Sequence, residues 1–418
     1  MARRRWPRRV ARVVARAALV LIALAALAVA WLHTRWGEAF VRGRVARALA
    51  ARFDGTVHVG AVDYGWWFRE VAVRDVRVVD RDGRTAIAIA AVELALDRGA
   101  LVRGEVVIDQ LTVTDLALDV VEDADGRTNL ARLVRPQPAS RRGLTIRRLA
   151  ITGRFELRRA DGTTVAVRDA TAVGEVRTGA GAAHVRLREL AADLRYTPAA
   201  APRTIAARLA LAEAVIDRGP DGVALELRRG QAGPLAFATV HARLGLARGR
   251  LVGAQHVELR GGRLDRAGLA TTLDRALIGA DLAFEVTADG PVAALAVHGA
   301  VTAGATALAL DGRADLSGLR PRYDLTLAGR GASADIAAAR TPVVVSELQL
   351  RLVGVGATSA DTDVDVELVL GPSRVGALAI DGAAVAAHVT RGAYEVTSAE
   401  VRGAGVVVTR SAHTAGWR

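Results

Sequence analysis

The sequence predicts a mainly β protein: a long antiparallel, curled β-meander with an open apolar groove, preceded by one N-terminal transmembrane helix and a short amphipathic helix. Three observations predict the β-meander and the helices ahead of it. An apolar spacing of i, i+2, i+5, i+7 recurs along the chain, Asp-Gly dipeptides punctuate it, and its one long uncharged run follows directly on a cluster of arginines.

The spacing is clearest at Leu111, Val113, Leu116 and Leu118. A regular strand returns to the same face every second residue, so one added residue reads as a bulge that keeps all four side chains on one face. It recurs as Val57, Val59, Val62, Tyr64; as Val71, Val73, Val76, Val78; and as Ile87, Ile89, Val92, Leu94. Further on stand Leu144, Ile146, Leu149, Ile151; Val185, Leu187, Leu190, Ala192; and Val343, Val345, Leu348, Leu350.

Composition bounds the function. The 418 residues carry a net charge of +13, all 57 basic residues are Arg, and there is no Cys. Arg3, Arg4, Arg5, Arg8, Arg9, Arg12 and Arg16 lie in the first 16 residues, and residues 53–418 keep a net charge of only +2. A nearly neutral body does not track phosphates, so no nucleic-acid partner is expected. Without Lys there is no P-loop or Schiff-base lysine, and without Cys no disulfide or thiolate metal site. Aromatics are only 4% of residues, so buried area has to come from Val, Leu and Ala.

Residues 1–16 read as a cytoplasmic basic tail and residues 17–36 as a membrane anchor. The run AALVLIALAALAVAWL, residues 17–32, supplies Leu19, Leu21, Ile22, Leu24, Leu27 and Trp31. It approaches the minimum length for a spanning helix, and the preceding arginines set the N-terminus on the cytoplasmic side. Ala28-Val-Ala30 also fits a signal-peptidase site, which is the competing reading. Residues 37–53 follow helical spacing through Val41, Val45, Ala48 and Leu49, which suits either a membrane-surface helix or a cap on the first sheet.

From Asp54-Gly55 onward the pattern is strand and turn. Asp82-Gly83, Asp125-Gly126, Asp161-Gly162, Asp221-Gly222, Asp289-Gly290, Asp311-Gly312 and Asp381-Gly382 read as hairpin turns, which pair consecutive strands antiparallel. A first β module is expected over 54–134, a Pro-containing linker over 135–142, and a repetitive β-groove body over 143–418. The aliphatic face has to meet a second sheet or curl into a trough suited to acyl chains.

The first 160 residues resemble the AsmA family, including its TamB-like members. The resemblance rests on an ordered set: the anchor, Phe53-Asp-Gly55-Thr-Val57-His-Val59-Gly60, Val73-Arg-Asp-Val76, Leu101-Val-Arg-Gly104, Ile108-Asp-Gln-Leu111 and Asp125-Gly126-Arg-Thr-Asn129-Leu130. It implies a periplasmic body on a single-pass inner-membrane anchor, acting in outer-membrane biogenesis by moving phospholipid along an apolar groove. Family members commonly carry a further C-terminal segment, so a short or truncated member is expected. The groove candidates are Val57, Val59, Val71, Val73, Ile87, Ile89, Leu111, Val113, Leu116, Leu118, Leu144 and Ile146. The alternative is an assembly factor that offers an edge strand to outer-membrane β-barrel proteins.

No catalytic or metal-binding motif stands out, and neither an enzyme nor a cofactor is expected. Glu122-Asp123-Ala-Asp125-Gly126 lacks the remaining EF-hand ligands and reads as a turn. Asp361, Asp363, Asp365 and Glu367 alternate with apolar residues, as on a solvated strand face. The eight His residues show no ligand spacing, and Gly354-Val-Gly356 has no helix pattern after it. Trp66, Trp67 and Phe68 form the densest aromatic cluster, read as a plug or a lipid contact.

Overall fold

The computed structural model describes residues 35–65, 69–125, 127–135, 143–179, 181–197, 199, 204–247, 250–267, 280–318, 320–332, 343–356, 362–390, 393–403 and 406–416. The chain forms two compact units, residues 1–160 and 161–418. Mainly β structure in open, curled antiparallel sheet accounts for most of it. The anchor residues Leu19 to Trp31 and the Trp66–Phe68 cluster lie outside the described residues. Among the described residues no helix is long and apolar enough to cross a membrane.

The first unit holds α1 (Arg35–Ala50), β1 (Thr56–Tyr64), β2 (Glu70–Val79), β3 (Thr85–Leu96), α2 (Arg98–Val102), β4 (Val106–Val121), α3 (Asn129–Leu133) and β5 (Leu144–Arg158). β1 to β4 are antiparallel neighbours in chain order. β5 departs from the expected meander: it runs parallel to β4, Val106 facing Leu144 and Val113 facing Ile151. A parallel return needs a crossover of about a dozen residues or more, and α3 with the Pro-containing segment 135–142 provides it. The first unit takes in β5.

Helices close parts of this sheet. α1 packs beside β1, where Arg42 Nη1 donates to the Gly60 carbonyl at 3.2 Å. On α1, Val41, Val45 and Leu49 are half-buried while Ala48 is exposed. α2 begins where Asp97 accepts the Ala100 N–H at 3.0 Å, an N-cap that satisfies a free helix donor. α3 lays Leu133 on Val78 and Ala86, with Phe53, Val57, Ile87 and Leu130 around them.

The second unit is built from strands. They are β6 (Thr164–Gly179), β7 (Ala182–Thr197), β8 (Ile205–Arg218), β9 (Gly222–Ala232), β10 (Leu235–Ala247), β11 (Arg250–Leu251), β12 (Ala254–Leu264), β13 (Leu282–Pro291), β14 (Leu295–Ala303) and β15 (Thr306–Asp315). There follow β16 (Arg322–Ala332), β17 (Val343–Val355), β18 (Asp363–Leu370), β19 (Ser373–Val375), β20 (Leu378–Ile380), β21 (Gly382–Thr390), β22 (Ala393–Gly403) and β23 (Val406–Gly416). The ladder is antiparallel throughout; β10 pairs directly with β12, β18 with β21, and the β19–β20 hairpin extends the rim beside β17.

The Asp-Gly dipeptides do not all make turns. Gly83 sits at φ 78° between β2 and β3, as a tight turn requires. Asp289-Gly290 and Asp311-Gly312, in contrast, lie inside β13 and β15. Asp311 faces outward against His298, while a Cβ on Gly312 would run into the Asp324 carbonyl of β16. The dipeptide here combines an outer polar pair with an inner close approach of two strands.

Candidate functional site: an apolar lane crossed by bulges

The register of the first unit brings the predicted groove residues into rows across the strands. Tyr64, Val71, Leu94, Leu111 and Leu149 stand opposite one another in turn from β1 to β5. Val62, Val73, Val92, Val113 and Ile151 form the next row. Beyond it come Val59, Val76 and Ile89, and then Val57, Val78, Ile87, Leu118 and Phe155. Leu144 and Ile146 face Val106 and Ile108 at the start of β5.

These rows are lined but not sealed. Of the twelve groove candidates only Ile146 is fully buried; the others are half-buried, unlike aliphatics in a closed core. The row through Val57 and Ile87 differs from the rest, because α3 covers it with Leu133. That row is a closed end; in the rows through Val113 and Leu111 most side chains are half-buried, with Val62 and Leu149 buried among them.

Between the second and third rows lies a line of bulges. Asp75 and Asp115 adopt left-handed backbone, both at φ 52°. Asp75 faces Gly60 on one side and Ala90 on the other, and Ala90 faces Asp115. From β1 to β4 the extra residue of each strand meets that of its neighbour, so pairing keeps its register across the line, whereas the parallel β4–β5 pair shifts by one residue between Val113 and Leu116. A left-handed non-Gly residue costs about 1–2 kcal/mol, and a short polar side chain tolerates it best. The Asp115 amide is also satisfied, donating to Thr152 Oγ1 at 3.1 Å.

The second unit repeats the device. Glu189, Arg229 and Gly261 have φ of 55°, 49° and 60°, and the line passes from Glu189 through Ala212, Arg229 and Ala238 to Gly261. β6 carries a further left-handed residue, Asp169, at φ 48°. The bulges at Arg229, Gly261 and Asp169 escape the sequence pattern because Ala or Gly fills their inner positions. The signal that finds them is a pair of outward residues followed by a small one.

One apolar row runs through most of the second unit. It goes from Leu187 through Ala214, Leu227, Val240, Leu259 and Val286 to Gly299, Leu310, Leu327, Leu350, Leu368, Val385 and Ala399. Its twelve strand-to-strand steps cover about 58 Å at about 4.8 Å each. Among the described residues no helix and no second sheet packs over it.

The opposite face is polar and paired. His184 Nδ1 lies 2.6 Å from Asp217, His256 2.6 Å from Asp289, His298 2.8 Å from Asp311 and His388 2.8 Å from Asp365, each pair directly opposite across neighbouring strands. His241 stands between Glu226 and Glu258. Histidines without any spacing in sequence are thus aligned by register. Glu213, half covered on this face, binds Arg186 and Arg228; the Arg186 hydrogen bond above all holds its carboxyl below the usual range. Asp363, Asp365 and Glu367 line the same exposed side of β18.

The Asp-Gly-x-x-Asn-Leu element is structural. Asp123 Oδ1 accepts the amides of Asp125 and Arg127 at 3.1 and 2.8 Å, a turn. Asn129, 4% exposed, accepts from Val121 and Leu130 and donates to the Asp119 carbonyl, tying α3 to the end of β4. Among the described residues no three His, Asp or Glu side chains are placed to hold a metal ion. Fold and site together define an open-faced β-sheet protein with one aliphatic and one charged face. No protein-family model matches the chain, and no curated protein matches it.

Proposed function

We propose that this chain is an AsmA-type β-groove protein, anchored in the inner membrane by residues 17–36, that binds phospholipid acyl chains and conducts them toward the outer membrane. The uncovered aliphatic lane, about 58 Å long in the second unit at about 4.8 Å per strand, supports the reading. Aliphatic surface in long rows without a covering layer favours a ligand of matching shape and apolarity. The arginine cluster ahead of the anchor supports a cytoplasmic N-terminus and an exported body, which the family resemblance assigns to the periplasm.

Substituting Val113→Asp and Leu116→Asp, one on each side of the Asp115 bulge, tests this. The detergent-extracted full chain is expected to carry co-purifying phospholipid, and the double variant to lose it while keeping its β circular dichroism. Folded wild-type protein free of lipid contradicts the proposal. A second reading, delivery of an edge strand to outer-membrane β-barrel proteins, draws on β23, which among the described residues pairs on its β22 side. Crosslinks from β23 to a barrel protein, undiminished in the Val113/Leu116 variant, favour that reading.

A further inference from the structure

We infer that the two bulge lines are fold lines that set the cross-section of the apolar lane. A single bulge bends one strand and increases its twist. Here the bulges stand in register in adjacent strands, so the sheet bends along a shared line. Between Gly60 and Asp115 in the first unit and between Glu189 and Gly261 in the second, the residues that face the left-handed positions are small: Gly60 and Ala90, Ala212 and Ala238. Little room exists for more, since a Cβ on Gly261 would lie 2.8 Å from the Ala238 Cβ.

The inner face is divided accordingly. In β9 Leu225 and Leu227 precede the line and Gly230 and Ala232 follow it, while Arg228 and Arg229 both point outward. Two shallow walls meet at the bend, Leu225 and Leu227 forming one in β9, while on the other side the Phe237 ring of β10 fills the space above Gly230. A bent aliphatic trough of that kind suits an extended acyl chain lying along the line. The consequence for cargo rests on the lipid reading; the bend does not.

Spin labels test the bend directly, because the chain contains no Cys and labels go only where Cys is introduced. One full-length variant carries Ala224→Cys and Gln231→Cys, seven residues apart on the outer face of β9; the other carries Ala296→Cys and Thr302→Cys, six apart on the unbulged β14. In straight strands the first pair is longer by one residue rise, about 3.3 Å. The inference predicts that the β9 distance does not exceed the β14 distance, and a β9 distance longer by the full rise overturns it. Ala212→Leu, which crowds Arg229 from β8, is expected to lengthen the β9 distance and leave β14 unchanged. If that variant folds with the β9 distance unaltered, the inference also fails; if it does not fold, the wild-type pair of distances decides. A short β9 distance in protein that binds no phospholipid removes the lipid reading alone.

Discussion

Gly60 of β1 faces Asp75 of β2 so closely that a Cβ on the glycine would lie 2.8 Å from the Asp75 Cβ. Two strands each add one residue at this point, and they can do so only because one is glycine and the other tolerates left-handed backbone. Gly60→Val is therefore expected to lower stability by about 1–3 kcal/mol through overpacking. Asp75→Val is expected to cost about 1–3 kcal/mol for the same turn of backbone, whereas Asp75→Gly is neutral or mildly stabilising. Urea titration followed by circular dichroism distinguishes them.

Asn129 holds the end of β4 through three backbone partners. Asn129→Leu leaves buried donors and acceptors unpaired and is expected to cost about 1–3 kcal/mol. Leu133→Ala, which opens a cavity beside Val78 and Ala86, is expected to cost about 2–5 kcal/mol. Both losses belong to the first unit and are read from its unfolding transition. The contacts named are all between protein groups, so EDTA is expected to leave the midpoint unchanged.

Much of this was legible in the one-dimensional pattern, and the reasons for the rest are physical. The slip at Leu111, Val113, Leu116 and Leu118 is local, so spacing alone reveals it. Which bulge faces which depends on hairpin length, and a register offset of one residue is invisible from either strand by itself. The same holds for His184 and Asp217, which meet only because β7 and β8 pair in that register. Asp311-Gly312 imitates a turn because a strand kink and a hairpin need the same two residue types. The parallel β4–β5 pair reads as a linker because its crossover contains prolines and, among the described residues, a helix of just five.

His388 gives the polar face a pH signature. The hydrogen bond that His388 donates to Asp365 raises its pKa above the ordinary 6.5, against the effect of desolvation, with Asp363 and Glu395 adding to the rise. The charged form is favoured in the folded state, so its contribution is fully present below pH 6.5 and is lost as pH climbs through the raised value. Solvent exposure keeps the effect small. Chemical-denaturation midpoints between pH 6 and 9 are expected to fall less in His388→Gln than in the wild type.

Acid acts on other groups with the opposite sign. The backbone N–H of Ala100 foremost, with Arg147 assisting against desolvation, holds Asp97 below the ordinary carboxylate range. Glu213 is lowered by Arg186, and the stability that both supply is present above their unfolded values and fades as pH drops toward the depressed ones. Asp97→Asn is expected to flatten the first unit's acid transition while preserving the α2 N-cap. An unchanged acid transition removes Asp97 from that role.

On the lipid reading, the inner face of the sheet is the cargo surface. Photocrosslinking of the full-length protein with a phospholipid bearing a diazirine in its acyl chain, followed by peptide mapping, addresses it most directly. Adducts are predicted on inner-row residues such as Val113, Leu227 and Leu350, with none on the outer row of His184, Asp217, His256 and Asp289. Adducts spread equally over both faces, or none at all on folded protein, contradict it.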